Sequence, residues 1–280
     1  MKMDVILDNH MHLRRDGRFL DAVREFKRYG GTHLILCQYP MPEIVAKEKS
    51  HIKIYEETVK MAREVMEKID VKVFVTIGPY PVDYLYLKER FGREEAKKIM
   101  KRGMEEAAKL CSEEDICVGI GEIGRPHFEV DDITLQDSNE IMIYGFECAK
   151  DHDLPVILHT EKATPDLCRE LAELADKVGL PREKIVKHFS PPLIRSDENH
   201  GLIPSVLSTW RNLKEAVGKG DRFLMETDYI DDPKRPGAVL SLRTIPRYTK
   251  RLLEKELVDE DTLYKIHKEL PEKIYGIEIN

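Results

Sequence analysis

Six residues whose side chains bind divalent cations stand at the ends of short apolar segments of this chain. The first two, His10 and His12, close the segment that begins at Val5. The other four come later, each at the end of its own segment: Glu122, His159, His188 and Asp228. Neutral imidazoles and carboxylates are common ligands of Zn²⁺, Mn²⁺ and related ions. Their order and placement together predict a metal site.

The spacing of these residues predicts two sub-sites. The first two histidines lie two positions apart on a strand, so both imidazoles point to the same side and can hold one ion. Asp228 is expected beside them if the sheet closes into a ring. Glu122 is expected between the sub-sites, with one carboxylate oxygen on each ion. His159 and His188, from neighbouring strands, would complete the second sub-site.

A site of this kind performs hydrolysis. Metal binding lowers the pKa of water towards neutrality, so a solvent hydroxide bridging two ions is the expected nucleophile. Asp228 is predicted to orient that water and to take its proton, and Glu122 is the other predicted catalytic residue. Two divalent ions are the expected cofactors. Four histidines favour Zn²⁺, and the two carboxylates leave Mn²⁺ or Mg²⁺ open.

The segments that must position these residues are short runs of Val, Ile, Leu and Phe with little alternation. This pattern is typical of strands buried on both faces of a parallel sheet. Eight strands are predicted: Val5 to Asp8, His33 to Cys37, Val71 to Ile77, Ile116 to Glu122, Pro155 to His159, Ile185 to His188, Ile203 to Leu207 and Phe223 to Glu226.

Longer amphipathic stretches alternate with the strands and predict helices. The predicted helices are 17–29, 53–68, 93–111, 134–152, 165–178, 209–217, 237–256 and a last one at about 259–274. Eight strand and helix units over 280 residues predict one domain, residues 1–280, with the fold of a (β/α)8 TIM barrel, regular or distorted, with a C-terminal helix. A doubly wound open sheet is the alternative. The barrel is favoured because a ring places the first and eighth strands side by side.

Composition and charge narrow the classes of partner. The net charge of −7 argues against binding long nucleic acid over the whole surface. No apolar run is long enough to span a bilayer, and the first residues do not resemble a signal peptide. Five cysteines are therefore expected to be reduced thiols in a cytoplasmic protein. The 35% charged residues and two glutamines resemble the composition of proteins from hot environments.

The motifs around the six residues resemble those of the TatD family of metal-dependent hydrolases, within the amidohydrolase superfamily of TIM-barrel enzymes. The resemblance runs from the first strand to the end of the chain, and it is carried by these pieces: His10-x-His12, Gly-Glu122-Ile-Gly, His159, His188-Phe-Ser and Glu226-Thr-Asp228. It implies that His10, His12, Glu122 and Asp228 bind one metal. It also implies that Glu122, His159 and His188 bind the other.

The loops that follow these motifs depart from the family pattern. Arg125-Pro-His127 stands where the family usually has Leu-Asp, and Pro191-Pro192 follows the segment of the sixth strand. The chain thus resembles a divergent, archaeal-type member. Arg125, His127 and Arg195 are the predicted substrate-binding residues, because arginine binds phosphate and carboxylate groups bidentately.

The leading functional prediction is hydrolysis of a phosphodiester in a nucleic acid or nucleotide, as in a TatD-like deoxyribonuclease. The acidic charge favours a small molecule or a short nucleic acid as substrate, and no membrane partner is expected. The first alternative is hydrolysis of a carboxylic ester, amide or lactone, including aminoacyl-tRNA deacylation. The second is a non-catalytic binding protein that contains metal.

Overall fold

Parallel strands pair around the molecule in the order in which they follow along the chain. The computed structural model describes residues 5–235 and 239–279. In chain order, the strands are β1 (Leu7–His12), β2 (His33–Cys37), β3 (Lys72–Ile77), β4 (Cys117–Gly124), β5 (Val156–His159), β6 (Ile185–Ser190), β7 (Ile203–Leu207), β8 (Leu224–Glu226) and β9 (Tyr229–Ile230). Neighbouring strands in the sheet follow the order β8-β7-β6-β5-β4-β3-β2-β1-β9.

The last two strands close the ring. They are halves of one extended segment, interrupted at Thr227 and Asp228. The first half pairs with β7, and the second half pairs with β1 through Met11 and Tyr229. The backbone N–H of Asp228 donates to the carbonyl oxygen of His10 at 3.0 Å. The predicted (β/α)8 barrel is therefore confirmed, and its distortion lies in the eighth strand.

The interior of the barrel is filled by a ring of apolar side chains, one from each of the first eight strands. The ring consists of Leu7, Ile35, Phe74, Val118, Ile157, Val186, Ile203 and Leu224. Ile274, Tyr275 and Ile279 of the C-terminal segment pack against it. Side chains alternate across a strand, so this ring leaves other inward positions nearer the carboxyl ends of the strands for polar side chains.

Helices cover the outside of the barrel. They are α1 (Leu20–Arg28), α2 (Pro42–Glu48), α3 (Ile52–Lys68), α4 (Asp83–Phe91), α5 (Arg93–Glu113), α6 (Asp132–Asp151), α7 (Pro165–Val178), α8 (Ser196–Asn199), α9 (Trp210–Val217), α10 (Thr244–Glu254), α11 (Glu260–Tyr264) and α12 (Leu270–Tyr275). A short 3₁₀ turn covers Arg182–Lys184, and a π-helical turn, Lys265–Glu269, joins α11 to α12.

Several boundaries differ from the predicted ones. The strand predicted at Val5 to Asp8 extends to His12, because the segment around Asp228 pairs with it. Helices α2 and α4 were not predicted, and the start of the helix predicted at 237–256 lies partly outside the described residues. Other boundaries follow local signals: α7 begins after the capping side chain of Thr164 and ends at Gly179, whose φ is 77°.

Within residues 5–235 and 239–279, no helix is both long and apolar enough to cross a membrane.

Candidate metal centre

The six predicted ligands converge at the carboxyl ends of the barrel strands. β1 carries His10 and His12, and the interruption in the eighth strand carries Asp228. The remaining three come from β4, β5 and β6: Glu122, His159 and His188. All six are buried except His159, which is partly exposed. In this fold, the side chains at the carboxyl ends of the strands share one cavity, so residues far apart in sequence become neighbours.

Four donor atoms surround the first sub-site. The Nε2 atoms of His10 and His12 lie 3.2 Å apart. Oδ1 of Asp228 lies 3.8 Å and 3.6 Å from these two nitrogens. Oε2 of Glu122 lies 3.8 Å and 3.5 Å from them. Ligands at zinc distances in a tetrahedron are about 3.3 Å apart. The donors of His10, His12 and Glu122 belong to one group spaced to hold a divalent cation, and Asp228 lies beside that group.

The second sub-site uses the other oxygen of Glu122. Its Oε1 atom lies 2.9 Å from Nδ1 of His159 and 3.2 Å from Nε2 of His188. These three donors form one of the groups in the described structure that are spaced to hold a metal ion. A three-donor set also leaves positions open for solvent or substrate. The two oxygens of one carboxylate thus face two different sub-sites.

In two of the imidazoles, the ring nitrogen Nδ1 contacts an oxygen atom outside the metal centre. Nδ1 of His12 lies 3.2 Å from the carbonyl oxygen of Cys37, so a proton on Nδ1 leaves the Nε2 lone pair free for a metal. Nδ1 of His188 lies 3.0 Å from Oε1 of Glu226, which favours the same arrangement. Both rings therefore present Nε2 to the centre.

The electrostatics of the cluster indicate a place for positive charge. Burial opposes ionisation of Glu122, but the charge of His188 and the hydrogen bond with His159 hold the pKa of this carboxyl well below its usual range. Burial also lowers the pKa of His188, yet the carboxylates of Glu226 and Glu122 raise that pKa to about 9. Burial lowers the pKa of His10 well below its usual value. A divalent cation would balance the carboxylates and leave the imidazoles neutral.

Two residues near the centre were not among the predicted ligands. The Sγ atom of Cys37 lies 3.9 Å from Oε2 of Glu122, in a donor group with His10 and His12. Burial raises the pKa of this thiol well above its usual value, and a neutral thiol is a poor metal ligand. Its place at the end of a predicted strand is the sequence signal for it.

Asp8 is the other residue whose role sequence reasoning missed. Its carboxylate accepts hydrogen bonds from the backbone N–H and the hydroxyl of Thr227, at 3.0 Å and 2.6 Å. It also accepts one from the backbone N–H of His10 at 3.3 Å. Asp8 therefore ties β1 to the segment that carries Asp228. Its position two residues before His10 is the only local signal.

The three predicted substrate-binding residues lie in different surroundings. Arg125 is fully buried, and its guanidinium donates to Asn139, Glu161 and Glu170. His127 lines the cavity beside the metal centre, and its Nδ1 atom lies 2.9 Å from Nε2 of His159. Arg195 is exposed at the start of α8 and is not among the residues that line that cavity. Their substrate-binding roles stay predictions.

The cavity beside the metal centre has a volume of about 840 Å³. Three predicted ligands reach it: His159, His188 and Asp228. Tyr80 also lines it, and its hydroxyl lies 3.3 Å from Nε2 of His159. The carboxyl end of β6 and the residues after it, from Phe189 to Leu193, supply a mostly apolar wall. A substrate in this cavity would touch the centre at one end and the strand-end loops at the other.

The chain is similar to known proteins over nearly its whole length. The chain is 37% identical over 276 residues to an uncharacterized protein of Methanocaldococcus jannaschii, which covers 98% of this chain and 96% of that protein. Among solved structures, the TatD homologue YjjV of Escherichia coli K12 superposes with a TM-score of 0.63 at 17% identity, over 98% of this chain and 99% of that one.

An organophosphorus hydrolase of Deinococcus radiodurans superposes with a TM-score of 0.65 at 14% identity, over 97% of this chain and 92% of that chain. At such low identity these structures show a shared fold. The sequence model of the family described as TatD related DNase matches residues 7–276. The chain therefore belongs to the TatD-related DNase family and is a metal-dependent hydrolase.

Proposed function

We propose that this protein is a two-metal hydrolase that cleaves a phosphodiester of a nucleotide or of a short, single-stranded nucleic acid. The observation that carries the proposal is the position of Glu122, whose two oxygens face different histidine pairs. One ion would be held by His10, His12, Glu122 and Asp228, and the other by Glu122, His159 and His188. The mixed imidazole and carboxylate donors favour Zn²⁺, with Mn²⁺ or Mg²⁺ as alternatives.

When bound, two such ions supply Lewis-acid charge that polarises the phosphoryl oxygens. The chain itself supplies positioning and a proton acceptor. Asp228 lines the cavity, and its carboxylate would accept a proton from the attacking water. Its backbone is fixed by the bond from its N–H to His10, and the preceding Thr227 is held by Asp8. The carboxylate is thus pre-positioned before substrate arrives.

The cavity restricts which part of a nucleic acid can reach the centre. Three of the proposed ligands line the cavity, the others are buried beneath them, and the net charge of the chain is −7. A duplex carries dense negative charge and would be repelled by most of the surface. A single strand end or a nucleotide can enter the cavity with few phosphates. The proposed substrate is therefore small or flexible.

A carboxylic ester or lactone is the second candidate substrate class. The apolar wall formed by Phe189, Pro191, Pro192 and Leu193 would suit an acyl chain. The same metal centre can attack a carbonyl carbon, because polarisation of an oxygen is common to both reactions. Relative rates on a phosphodiester, a phosphomonoester and an acyl ester, each with Zn²⁺, Mn²⁺ or Mg²⁺, decide between the two.

The variant Asp228→Asn tests the assignment of the proton acceptor. We expect turnover of bis(p-nitrophenyl) phosphate to fall by about 10² to 10⁴-fold, because the amide cannot accept a proton in the reaction. Metal content, measured by mass spectrometry, should fall only in part. Glu215→Gln is the matched control, since Glu215 lines the same cavity outside the centre. Wild-type turnover by Asp228→Asn would show that the role is wrong.

A further inference from the structure

Two cations in the cavity beside the metal centre have no partner among the residues that the structure describes. Lys162 follows β5, and Arg211 lies in the first turn of α9, after β7. Both side chains are exposed. Neither makes an ion pair, hydrogen bond or ring contact within residues 5–235 and 239–279. The two differ in this respect from the other charged residues of the cavity wall.

Two acidic residues of the wall pair with cations from outside the cavity, and the third, Asp228, belongs to the candidate metal centre. Glu161 accepts from the buried Arg125, and Glu215 pairs with Lys219 at 3.0 Å. Each of these two cations also pairs with a second carboxylate, so Glu161 and Glu215 are neutralised only in part. The four wall cations still outnumber the three wall carboxylates. The positive charge that remains is a local exception in a chain with a net charge of −7.

The remaining cations of the wall are already engaged. Arg235 pairs with Asp232 at 3.2 Å. The ammonium of the buried Lys187 donates to the carbonyl oxygen of His188 at 2.6 Å. Lys162 and Arg211 are thus the cations of the described wall that are left to bind an anion from outside the chain.

Their place in the fold sets them on either side of the apolar wall. β6 lies between β5 and β7 in the sheet, and its carboxyl end carries the half-exposed Phe189. A ligand that rests on this end of β6 has the strand ends of β5 and β7 on its flanks. An arginine can bind a phosphate bidentately, and a lysine adds a point charge.

We propose that Lys162 and Arg211 bind a second phosphate of the substrate, one that is not cleaved. This inference rests on the proposed phosphodiesterase function, in which the metal centre takes the scissile phosphate. A cavity of about 840 Å³ has room for more than one nucleotide group. The side chain of Phe189 offers a flat apolar surface for a base between the two phosphates. The two cations would then set the preference for substrates with more than one phosphate.

Kinetics on three dinucleotides test the proposal. The substrates are the thymidine dinucleotide TpT, with one phosphate, and the same dinucleotide with a terminal phosphate added at its 5′ or its 3′ end. In the wild type, we expect at least one phosphorylated form to have a KM about 10-fold lower than that of TpT. This advantage should weaken as salt rises, because exposed charges are screened.

The double variant Lys162→Gln/Arg211→Gln should remove this advantage. The ratio of the KM for TpT to the KM for the preferred phosphorylated dinucleotide should then approach one. Lys214→Gln is the matched control: it removes an exposed cation on the same helix, α9, that does not line the cavity, and the ratio should keep its wild-type value. An unchanged ratio in the double variant, or a wild type that does not distinguish the substrates, would overturn the proposal.

A binding measurement separates this proposal from the proposed function. In the Asp228→Asn background, calorimetry reports the affinity for the phosphorylated dinucleotide and for TpT without turnover. Preferential binding that depends on Lys162 and Arg211, in a protein that cleaves no phosphodiester, would sustain the anion site and contradict the function. Cleavage without that preference would sustain the function and reject the anion site.

Discussion

Glu226 contacts one imidazole of the candidate metal centre, on the side away from the proposed ions. Its Oε1 atom lies 3.0 Å from Nδ1 of His188 and accepts the backbone N–H of Phe189 at 2.7 Å. The side chain is fully buried, so this carboxylate is held by the strands around it. Residues that contact a metal-binding histidine in this way fix its tautomer and its ring orientation.

The variant Glu226→Ala should weaken metal binding without removing any ligand. We expect the dissociation constant of the ion assigned to His188 to rise by about 10 to 100-fold, because His188 loses the carboxylate beside its Nδ1 atom. Titration against a chromophoric chelator measures this change. Glu215→Ala, which removes an exposed carboxylate of the same cavity, is the control and should bind metal as the wild type does. Equal affinities for all three proteins would contradict the role of Glu226.

At the scale of elements, a buried histidine joins the C-terminal helical segments to the barrel. His267 lies in the π-helical turn between α11 and α12. Its Nδ1 atom accepts the backbone N–H of Leu7 in β1 at 3.1 Å. Its Nε2 atom lies 3.0 Å from the hydroxyl of Thr249 in α10. One imidazole thus connects three elements and must be neutral at Nδ1 to do so.

Protonation of His267 should destabilise the fold at acidic pH. Burial lowers the pKa of His267 to about 4, whereas its ordinary value is 6.5. The neutral form is favoured in the fold, so its contribution is complete above pH 6.5 and is lost as the pH falls towards 4. Between pH 7.5 and 4.5 this linkage corresponds to about 2.5 kcal/mol of unfolding free energy.

The variant His267→Gln isolates this effect, because an amide oxygen can still accept the N–H of Leu7 and does not titrate. Urea unfolding at pH 7.5 and 4.5 should show that the wild type loses about 2.5 kcal/mol more than the variant over this range. His152→Gln, which replaces an exposed histidine after α6, should follow the wild type. A variant that loses as much stability as the wild type would contradict the assignment.

At the scale of the whole molecule, the metal centre and the fold should stabilise each other. The proposed ligands lie on strands from the beginning, the middle and the end of the barrel sequence. Ions bound there would therefore connect β1 and the eighth strand to β4, β5 and β6. Without a cation, the burial of these imidazoles and carboxylates raises the free energy of the folded state. The folded chain binds the ion and the unfolded chain does not hold the same geometry.

Removal of metal should therefore lower the stability of the protein. At a metal concentration 100 times the Kd, bound metal contributes about 3 kcal/mol to the free energy of unfolding. In thermal melts, the metal-loaded protein should therefore have a higher Tm than the chelator-treated protein. The double variant His10→Ala/His12→Ala should show a smaller difference between the two conditions. Identical melts of the loaded and treated wild type would mean that this centre does not hold the ion.

The sequence by itself determined the barrel and the strand ends at which the candidate ligands stand. Buried parallel strands need continuous apolar runs, and ligands at strand ends stand next to those runs, so both signals are local. Helices α2 and α4 were missed because they are short or lie close to a longer helix. The closure of the ring between the first and eighth strands was predicted, but the interruption at Thr227 and Asp228, which leaves β9 to pair with β1, has no local signal.

The tertiary structure decided what the polar residues do. Arg125 lies three positions after Glu122 and was predicted to bind substrate, yet its partners Glu161 and Glu170 lie 36 and 45 positions further along. The sequence likewise does not show that Lys162 and Arg211 lack partners among the described residues. The local sequence pattern predicts whether an apolar residue is buried. The role of a charged residue depends on its partner, and only the folded chain determines which partner is within reach.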